Sequence, residues 1–394
     1  MRVLYVQYTN PGAYPPLVRG ARLLANAGAP VLMLGTRVDG LDALDASPAE
    51  GVTVRLLPAA GDGWRLKAHY ARFAAWAARE GAAWKPDWIY ASDLLAAPIA
   101  LGLSVLTGAR VVYHEHDAPS TEHSSWMIRQ CMTARDRLLR QADVVVTPNA
   151  ERSAILSAAS GGRRVMTVWN CPLRPAGNGT RARGSSRVEV LYRGSINGER
   201  LPGTVVDAIA QSGTDVGLAV VGYETVGSRG HVASLATRAR ELGVADRVRM
   251  LGTLSDPAVE AIAARTELGL ALMPMSSLDD NMRHMTGASN KVFEYLSAGV
   301  VPIVSDLPDW RATFVEPGYA LACDPRSPGT IAAVFDWAAA HREEIRAIAQ
   351  LGWRRLEDDW NYETQFAPVL HAMLGDADAR GSIATGMAEA QCAS

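Results

Sequence analysis

Short apolar segments alternate with helical segments along nearly the whole chain, which has 394 residues. In the first half, the apolar segment 2–8 is followed by a helical segment at 16–26 and a second apolar segment at 31–34. In the second half, the apolar segments 188–192 and 216–221 continue the pattern. A continuous apolar run bounded by polar turns is typical of a buried strand, and helices connect such strands in parallel sheets. The alternation therefore predicts the α/β fold class.

A stretch rich in proline, glycine, serine and arginine, 172–187, separates two halves of this alternation. Such a composition is typical of a linker, and the chain is long enough for two domains with separate cores. We therefore predict an N-terminal domain at 1–171 and a C-terminal domain at 188–355. A helix at 356–374 follows, and the small and polar residues of 375–394 predict a flexible tail.

The composition excludes several classes of protein. An apolar fraction of 48% and a charged fraction of 20% indicate a globular chain, and a net charge of −2 does not favour nucleic acid as a partner. The four cysteines form no C-x-x-C pair, so we predict reduced thiols rather than disulfides or a zinc site. No G-x-G-x-x-G follows the first strand, which disfavours NAD and FAD. The apolar segment 94–106 is too short to span a membrane. Reduced thiols and an N-terminus without the pattern of a signal peptide lead us to expect a cytoplasmic location.

One segment of the second half combines several features of a phosphate-binding site. A polar loop at 281–289 leads into a short helix, which is followed by an apolar strand at 300–304. The amino end of a helix presents unpaired N–H groups that bind phosphate, and Gly287 lets a ligand approach the backbone closely. Lys291 adds a positive charge, and one turn later Glu294 can accept hydrogen bonds from ribose hydroxyls. The segment thus predicts a site for a nucleotide diphosphate.

The sequence SNKVFEYLSAGVVPIV at 289–304 resembles the nucleotide-sugar-binding motif of glycosyltransferase family 4. The resemblance is weaker elsewhere but extends over nearly the whole chain. It implies the GT-B fold, in which two Rossmann-like domains face each other across a cleft and a C-terminal helix crosses back to the first domain. In that family the glutamate at the position of Glu294 binds the ribose. Many members carry a second glutamate where this chain has Thr286, although the following Gly287 is retained.

Further segments resemble the same family. The strand 188–192 leads into a glycine loop that holds the diphosphate, where Gly194 and Arg200 match the family and Ser195 replaces a common basic residue. The turns after two later strands correspond to the family's base-binding region. The donor-binding residues implied by the resemblance are Gly12, Gly194, Gly222, Thr253, Thr286, Gly287, Ala288, Ser289, Asn290 and Glu294.

Polar residues follow the strand at 110–114. His114 and His116 share one face of an extended chain, but no third ligand at a suitable spacing supports a metal site. The resemblance implies instead that His116 and Asp117 lie at the active cleft, where a histidine positions or deprotonates an acceptor hydroxyl. A histidine that caps the next helix is the alternative. With Arg200 and Lys291, these two residues form the predicted catalytic set.

The resemblance implies a retaining glycosyltransferase that uses a nucleotide diphosphate sugar, with UDP favoured over GDP. Arg200, Lys291 and the helix start at 287–290 would neutralise the diphosphate. The second domain has no Asp-x-Asp at a strand end, so neither a metal nor another cofactor is predicted. Two alternatives are an epimerase of nucleotide sugars on the same fold and a non-catalytic nucleotide-sugar-binding protein.

The acceptor is predicted only as a small molecule, a glycan or a lipid-linked glycan. The helical segment 64–84 mixes basic and aromatic residues, a pattern that also occurs in helices lying on membrane surfaces. We favour a helix that packs its aromatic residues on the sheet. Peripheral contact with the inner face of a membrane is the alternative. The oligomeric state is not predicted.

Overall fold

The computed structural model describes the chain in five ranges, namely 1–38, 49–59, 64–119, 125–175 and 187–375. The chain divides into two units. Unit 1 comprises Met1–Leu173 together with Asn361–Ser394, and unit 2 comprises Arg174–Trp360. Most of the predicted linker and of the predicted tail lies outside the described residues. Each unit contains one parallel sheet flanked by helices, which confirms the predicted α/β class with two Rossmann-like domains.

Unit 1 contains a seven-stranded parallel sheet. Its strands are β1 (Val3–Val6), β2 (Val31–Thr36), β3 (Val52–Leu57), β4 (Trp88–Ser92), β5 (Arg110–His114), β6 (Val144–Thr147) and β7 (Met166–Thr167). Their spatial order is β3-β2-β1-β4-β5-β6-β7, and every pair is parallel. The connecting helices are α1 (Pro15–Asn26), α2 (Trp64–Trp84), α3 (Asp93–Thr107), α4 (Trp126–Gln141) and α5 (Ala150–Ala159). The order reverses between β1 and β4, and ligands of doubly wound sheets bind at the carboxyl ends of strands near such a reversal.

Two apolar layers cover the sheet of unit 1, because successive side chains of a strand point to opposite faces. Leu4 and Val6 of β1 pack in one layer with residues of α2, α3 and α4. Val3 and Tyr5 pack in the other layer with α1 and with a C-terminal helix. Burial on both faces explains why these strands appear in the sequence as continuous apolar runs.

Unit 2 contains a six-stranded parallel sheet. Its strands are β8 (Val188–Ile196), β9 (Val216–Glu224), β10 (Val248–Gly252), β11 (Leu268–Ala271), β12 (Val301–Ser305) and β13 (Leu321–Cys323). Their spatial order is β10-β9-β8-β11-β12-β13. The helices are α6 (Thr204–Gln211), α7 (His231–Glu241), α8 (Asp256–Ala263), α9 (Asp280–Arg283), α10 (Asn290–Ser297), α11 (Pro308–Trp310), α12 (Pro328–Ala340) and α13 (Arg342–Asp358). Here the order reverses between β8 and β11.

The described chain ends in two helices. α13 ends at Asp358 and α14 (Tyr362–Leu374) begins after a break, whereas the sequence predicts the last helix at 356–374. The side chain of Asn361 caps α14 by accepting a hydrogen bond from Thr364 N at 2.9 Å. The new helix is part of unit 1, where Phe366 is fully buried among residues of β1 and β4. Within the described ranges, no helix combines the length and the apolar character that crossing a bilayer requires.

Candidate active site

The helix α10 is held against the centre of the unit 2 sheet by Tyr295. The Tyr295 hydroxyl lies 3.2 Å from the carbonyl oxygens of Leu191 and Leu270, and it accepts a hydrogen bond from Arg193 N at 3.1 Å. The ring lies on Gly269, where a Cβ atom would approach it to 2.5 Å. These contacts fix α10 to β8 and β11, the two strands between which the strand order reverses.

The amino end of α10 has no side-chain cap among the residues that the structure describes. Ser289, at the N-cap position, makes no side-chain capping hydrogen bond. The amides of Ala288 and Ser289 donate to Met285 O, at 3.0 and 2.9 Å. The amides available to an anion are therefore those of the first helical turn, which have no acceptor within the helix. Asn290 Oδ1 is also buried, without a partner among the described residues. This end of the helix suits a phosphate group.

Lys291 lies in the first turn of α10, and its side chain is 9% exposed. A Cβ atom at Gly194 would lie 3.3 Å from Lys291 Nζ, so the ammonium group lies against the backbone of β8. Burial, together with the positive charges of Arg200 and Arg193, lowers the pKa of Lys291 to about 7. Within the described ranges no carboxylate forms an ion pair with this lysine. A bound anion would restore its positive charge.

Two arginines complete a cationic cluster, which we define as Arg193, Arg200 and Lys291. Arg200 Nη1 donates to Ser195 Oγ at 2.8 Å, and Arg200 Nε is buried without a partner in the described part of the chain. Ser195, which replaces a common basic residue of the family, thus orients Arg200. Arg193 Nη1 lies 3.3 Å from Glu294 Oε2. The prediction missed Arg193, although it directly precedes the glycine that the motif contains.

The cluster lies on an extended strand rather than on the predicted glycine loop. β8 continues to Ile196 and β9 continues to Glu224, and their residues Gly194 and Gly222 are paired. Both glycines have positive φ angles, 110° and 148°. A Cβ atom at Gly222 would lie 1.8 Å from Gly194 O, so only glycine permits this approach of the two strands. The loop was predicted because glycine usually interrupts a strand.

The other predicted donor-binding residues have different surroundings in the structure. Thr253 is exposed just after the edge strand β10. Because β9 lies between β10 and β8, Thr253 is two strands away from the strand that carries Arg193. Gly12 belongs to unit 1, where its amide donates to Asn10 Oδ1 at 2.9 Å. Thr286 is nearly buried, and its hydroxyl donates to Asp309 Oδ2 at 2.5 Å. Gly287, between this threonine and α10, has a φ of 78°. The prediction did not include Asp309.

A second polar cluster lies in unit 1, at the carboxyl ends of β4 and β5. His114 is fully buried, and its Nδ1 lies 2.6 Å from the hydroxyl of Tyr90. The rings of His114 and His116 are in contact, with centroids 3.8 Å apart. Neither ring nitrogen of His116 has a hydrogen-bond partner among the described residues. Burial and the charge of Arg152 lower the pKa of His116 to about 3, so its imidazole is neutral near pH 7.

The backbone at His116 is fixed by Asp93, the first residue of α3. Asp93 Oδ1 accepts hydrogen bonds from His116 N at 2.7 Å and from Asp117 N at 3.2 Å. Asp93 has a φ of 63°, a left-handed conformation that few residues with a side chain adopt and that aspartate and asparagine tolerate best. Burial and the charge of Asp117 raise the pKa of Asp93 to about 8. Arg152 Nη1 also donates to His116 O at 2.6 Å.

Glu115, between the two histidines, points away from this cluster. Its carboxylate pairs with Arg135 and accepts a hydrogen bond from the hydroxyl of Tyr113 at 2.9 Å. Among the residues that the structure describes, no group of three or more histidine, cysteine, aspartate or glutamate side chains is arranged to hold a metal ion. The cluster can therefore be described as neutral imidazoles on a backbone held by Asp93.

Comparisons with known proteins agree with this architecture. Residues 17–171 match a family described as "Glycosyl transferase 4-like domain". Over 409 aligned residues, the chain is 25% identical to the glycogen synthase of Mycobacterium tuberculosis, and the alignment covers 92% of each protein. The fold is similar to that of the Anabaena protein HepE in complex with UDP-glucose, with a TM-score of 0.69, 17% identity and coverage of 95% of this chain and 99% of that one.

Another similar structure is the sucrose-phosphate synthase of Thermosynechococcus elongatus, with a TM-score of 0.70 and 15% identity. The alignment covers 94% of this chain and 97% of that protein. Together these similarities confirm the predicted GT-B fold class and the resemblance to the family 4 glycosyltransferases. They also confirm the predicted enzyme class, a glycosyltransferase.

Proposed function

We propose that this protein is a retaining glycosyltransferase that transfers a sugar from a UDP-sugar, rather than a GDP-sugar, to an acceptor hydroxyl. The observation that carries the proposal is the cationic cluster next to the uncapped amino end of α10. Arg200, Lys291 and the backbone amides of the first turn of α10 lie in one place and suit the two negative charges of a diphosphate diester. The HepE structures in complex with UDP and with UDP-glucose support the choice of nucleotide.

In the proposed reaction, unit 2 binds the donor. Arg200, Lys291 and the amides of α10 bind the diphosphate, and Glu294, held by Arg193, accepts hydrogen bonds from the ribose hydroxyls. The bond from the anomeric carbon to the diphosphate oxygen breaks, and the acceptor oxygen bonds to that carbon on the same face. The acceptor proton passes to the departing diphosphate. The cations stabilise the negative charge that develops on the leaving group.

In the same proposal, unit 1 binds the acceptor. The unpartnered ring nitrogens of His116 support this role, because buried polar atoms are almost always hydrogen bonded in a functional complex. A neutral imidazole can accept a hydrogen bond from the acceptor hydroxyl and orient it. We further propose that no metal ion is required, since side chains supply the positive charge. Full activity in excess EDTA would support this point, and loss of activity that Mg²⁺ restores would refute it.

The nucleotide-binding step is tested by thermal unfolding. UDP at about 100 times its Kd should stabilise the protein by about 2.7 kcal/mol and raise Tm by several degrees. Glu294→Ala should remove most of that rise, whereas Glu260→Ala, an exposed position on α8, should leave it unchanged. If no nucleotide raises Tm, the proposed function is wrong.

Product analysis separates the proposal from its two alternatives. Retention requires the new glycosidic bond to have the anomeric configuration of the donor, which NMR determines directly. An epimerase would convert the UDP-sugar into a second UDP-sugar without any acceptor. A non-catalytic binding protein would bind UDP and give no product with any acceptor, whether small molecule, glycan or lipid-linked glycan.

We also propose peripheral contact with a membrane, made by unit 1. Trp64 is 74% exposed at the start of α2, and Trp126 is 69% exposed at the start of α4. Both helices follow parallel strands and pack on the same face of the sheet, so both begin at its carboxyl edge. The exposed residues Arg65 and Lys67 follow Trp64, and this combination is typical of proteins bound to anionic membrane surfaces.

The membrane proposal is tested by sedimentation with vesicles. The protein should sediment with phosphatidylglycerol vesicles and not with phosphatidylcholine vesicles. The double substitution Trp64→Ser and Trp126→Ser should abolish this binding without changing Tm, because neither tryptophan is buried. Equal binding of the wild type and the double variant would contradict the proposal.

A further inference from the structure

The proposed function does not use Asp309, a carboxylate next to the loop that opens α10. Asp309 lies on α11, which follows the carboxyl end of β12. Its Oδ2 accepts a hydrogen bond from Thr286 Oγ1 at 2.5 Å. Thr286 is 7% exposed, whereas the Asp309 side chain remains partly open to solvent. One oxygen of Asp309 is therefore fixed by the protein.

The other oxygen, Oδ1, makes no hydrogen bond to any described residue, and no cation in the described ranges pairs with Asp309. The contrast is Asp306, three residues earlier, whose Oδ1 accepts a hydrogen bond from Arg311 at 2.8 Å on the surface. Asp306 thus has an ordinary surface ion pair. Asp309, in contrast, presents a fixed and unneutralised carboxylate oxygen.

The position of Asp309 relative to α10 is rigid. Trp310, the next residue, is 1% exposed and packs edge-on against Phe314 at 5.7 Å between ring centroids. Phe314 in turn contacts Phe293 of α10 at 5.9 Å, and both rings contact Trp360. This aromatic cluster joins α10 to the segment that carries Asp309. A ligand bound at the start of α10 therefore meets the carboxylate in a fixed geometry.

The order of functional groups along α10 indicates which part of a ligand reaches Asp309. Glu294 lies one turn into the helix, Lys291 lies in its first turn, and Thr286 lies before its start. In the proposed function these positions correspond to ribose and diphosphate, and the next group along a nucleotide diphosphate sugar is the sugar. A carboxylate repels phosphate but accepts hydrogen bonds from hydroxyl groups.

We infer that Asp309 accepts a hydrogen bond from a hydroxyl of the transferred sugar and determines which donor sugar is bound. The inference rests on the proposed function, because it requires the diphosphate to lie at the start of α10. A site built to bind a hydroxyl discriminates strongly against an analogue that lacks it, since the carboxylate would then lose water without gaining a partner. Thr286 is a positioning residue for the same contact.

The test compares binding of UDP with binding of UDP-sugars. Asp309→Asn keeps an oxygen that accepts from Thr286 but replaces the free oxygen with an amide. Isothermal titration should give an unchanged Kd for UDP and a Kd about ten- to hundredfold higher for the UDP-sugar that the wild type binds most tightly. Thr286→Val should raise the Kd of the same UDP-sugar by a smaller factor, because the carboxylate remains but loses the hydrogen bond that positions it.

The matched control is Asp306→Asn, which removes an equal charge from the same loop and should change neither Kd. Deoxy analogues of the preferred UDP-sugar identify the contact. The analogue that lacks the bound hydroxyl should bind equally well to the wild type and to Asp309→Asn.

Three results would overturn the inference: equal Kd values of UDP-sugars for the wild type and Asp309→Asn, equal weakening of UDP and UDP-sugars, or sensitivity of every deoxy analogue to the substitution. The proposed function would survive each of them if UDP still binds the wild type. The absence of any nucleotide binding would instead refute the proposed function and, with it, this inference.

Discussion

The two units share one architecture, yet the side chains near the carboxyl ends of their strands differ in charge. In unit 2 they carry the cationic cluster, with Lys291 packed against Gly194 and Arg200 fixed by Ser195. In unit 1 they carry the imidazoles of His114 and His116, which burial keeps neutral. A fold positions functional groups but does not choose them. The difference supports the proposal that unit 2 binds an anionic substrate and unit 1 a neutral one.

Burial lowers the pKa of both Lys291 and His116, but the consequences differ. For Lys291 the pKa falls to about 7, so an approaching diphosphate can restore the charged form at little cost. For His116 it falls to about 3, so the imidazole stays neutral and can accept a hydrogen bond over the whole physiological range. The comparison therefore makes separable predictions for catalysis in unit 1 and for binding in unit 2.

The largest expected effect comes from His116. His116→Ala should lower the transfer rate by about 10²- to 10⁴-fold, because the acceptor hydroxyl loses its orienting partner. The Kd of UDP should not change, since the residues proposed to bind the diphosphate and the ribose belong to unit 2. Steady-state kinetics and titration of UDP measure the two quantities, and His341→Ala on unit 2 is the control. Weaker UDP binding with an unchanged rate would reverse the roles assigned to the units.

The second effect concerns the pH dependence of donor binding. The affinity for UDP-glucose, whose diphosphate does not titrate in this range, should fall roughly tenfold per pH unit above about 7, because Lys291 must take up a proton to bind. Lys291→Arg should remove this dependence, since arginine stays charged. Titrations at pH 6.5, 7.5 and 8.5 measure it, and a slope that persists in Lys291→Arg would assign it to another group.

The unliganded protein should show the opposite trend in stability. The pKa of Lys291 is lower in the folded than in the unfolded chain, so the unfolded state binds more protons between about pH 7 and the usual lysine pKa. The contribution of this lysine to the free energy of unfolding therefore rises with pH in the window where donor affinity falls. Lys291→Arg removes both trends together.

The sequence predicts most of the fold because a strand buried on both faces remains visible as a continuous apolar run. β1 and β12 are examples, and both occur near their predicted positions. The break between α13 and α14 was predicted several residues too early, because the helical character continues through it and only tertiary packing assigns the two helices to different units. Gly194 and Gly222 were predicted in loops, because the pairing that lets them extend β8 and β9 is not local.

The functional sites likewise contain residues that a local sequence pattern reveals and residues that only tertiary contacts reveal. Lys291 and Glu294 are visible in the sequence because helix, cation and carboxylate lie within a few residues. Asp93 and Asp309 are not visible in this way, since each forms its hydrogen bond with a residue 23 positions away. No local pattern of spacing or polarity reports such a contact, and a carboxylate at the start of a helix is normally explained as a cap. The structure is needed wherever two segments complete a site together.

The smallest predicted effect tests Asp93, which holds the backbone of His116. Its pKa is raised to about 8, so the folded state binds more protons than the unfolded state between about pH 4 and 8, and stability falls as pH rises through that range. Asp93→Asn keeps an oxygen acceptor for the amides of His116 and Asp117, and asparagine tolerates a positive φ angle. The variant should therefore gain Tm relative to the wild type as pH increases from 5 to 8. Asp93→Ala, which lacks the acceptor, should instead be less stable at every pH and should lower the transfer rate without changing the Kd of UDP. Parallel pH behaviour of Asp93→Asn and the wild type would mean that Asp93 is ionised throughout, and the description of the unit 1 cluster as neutral would then fail at this residue.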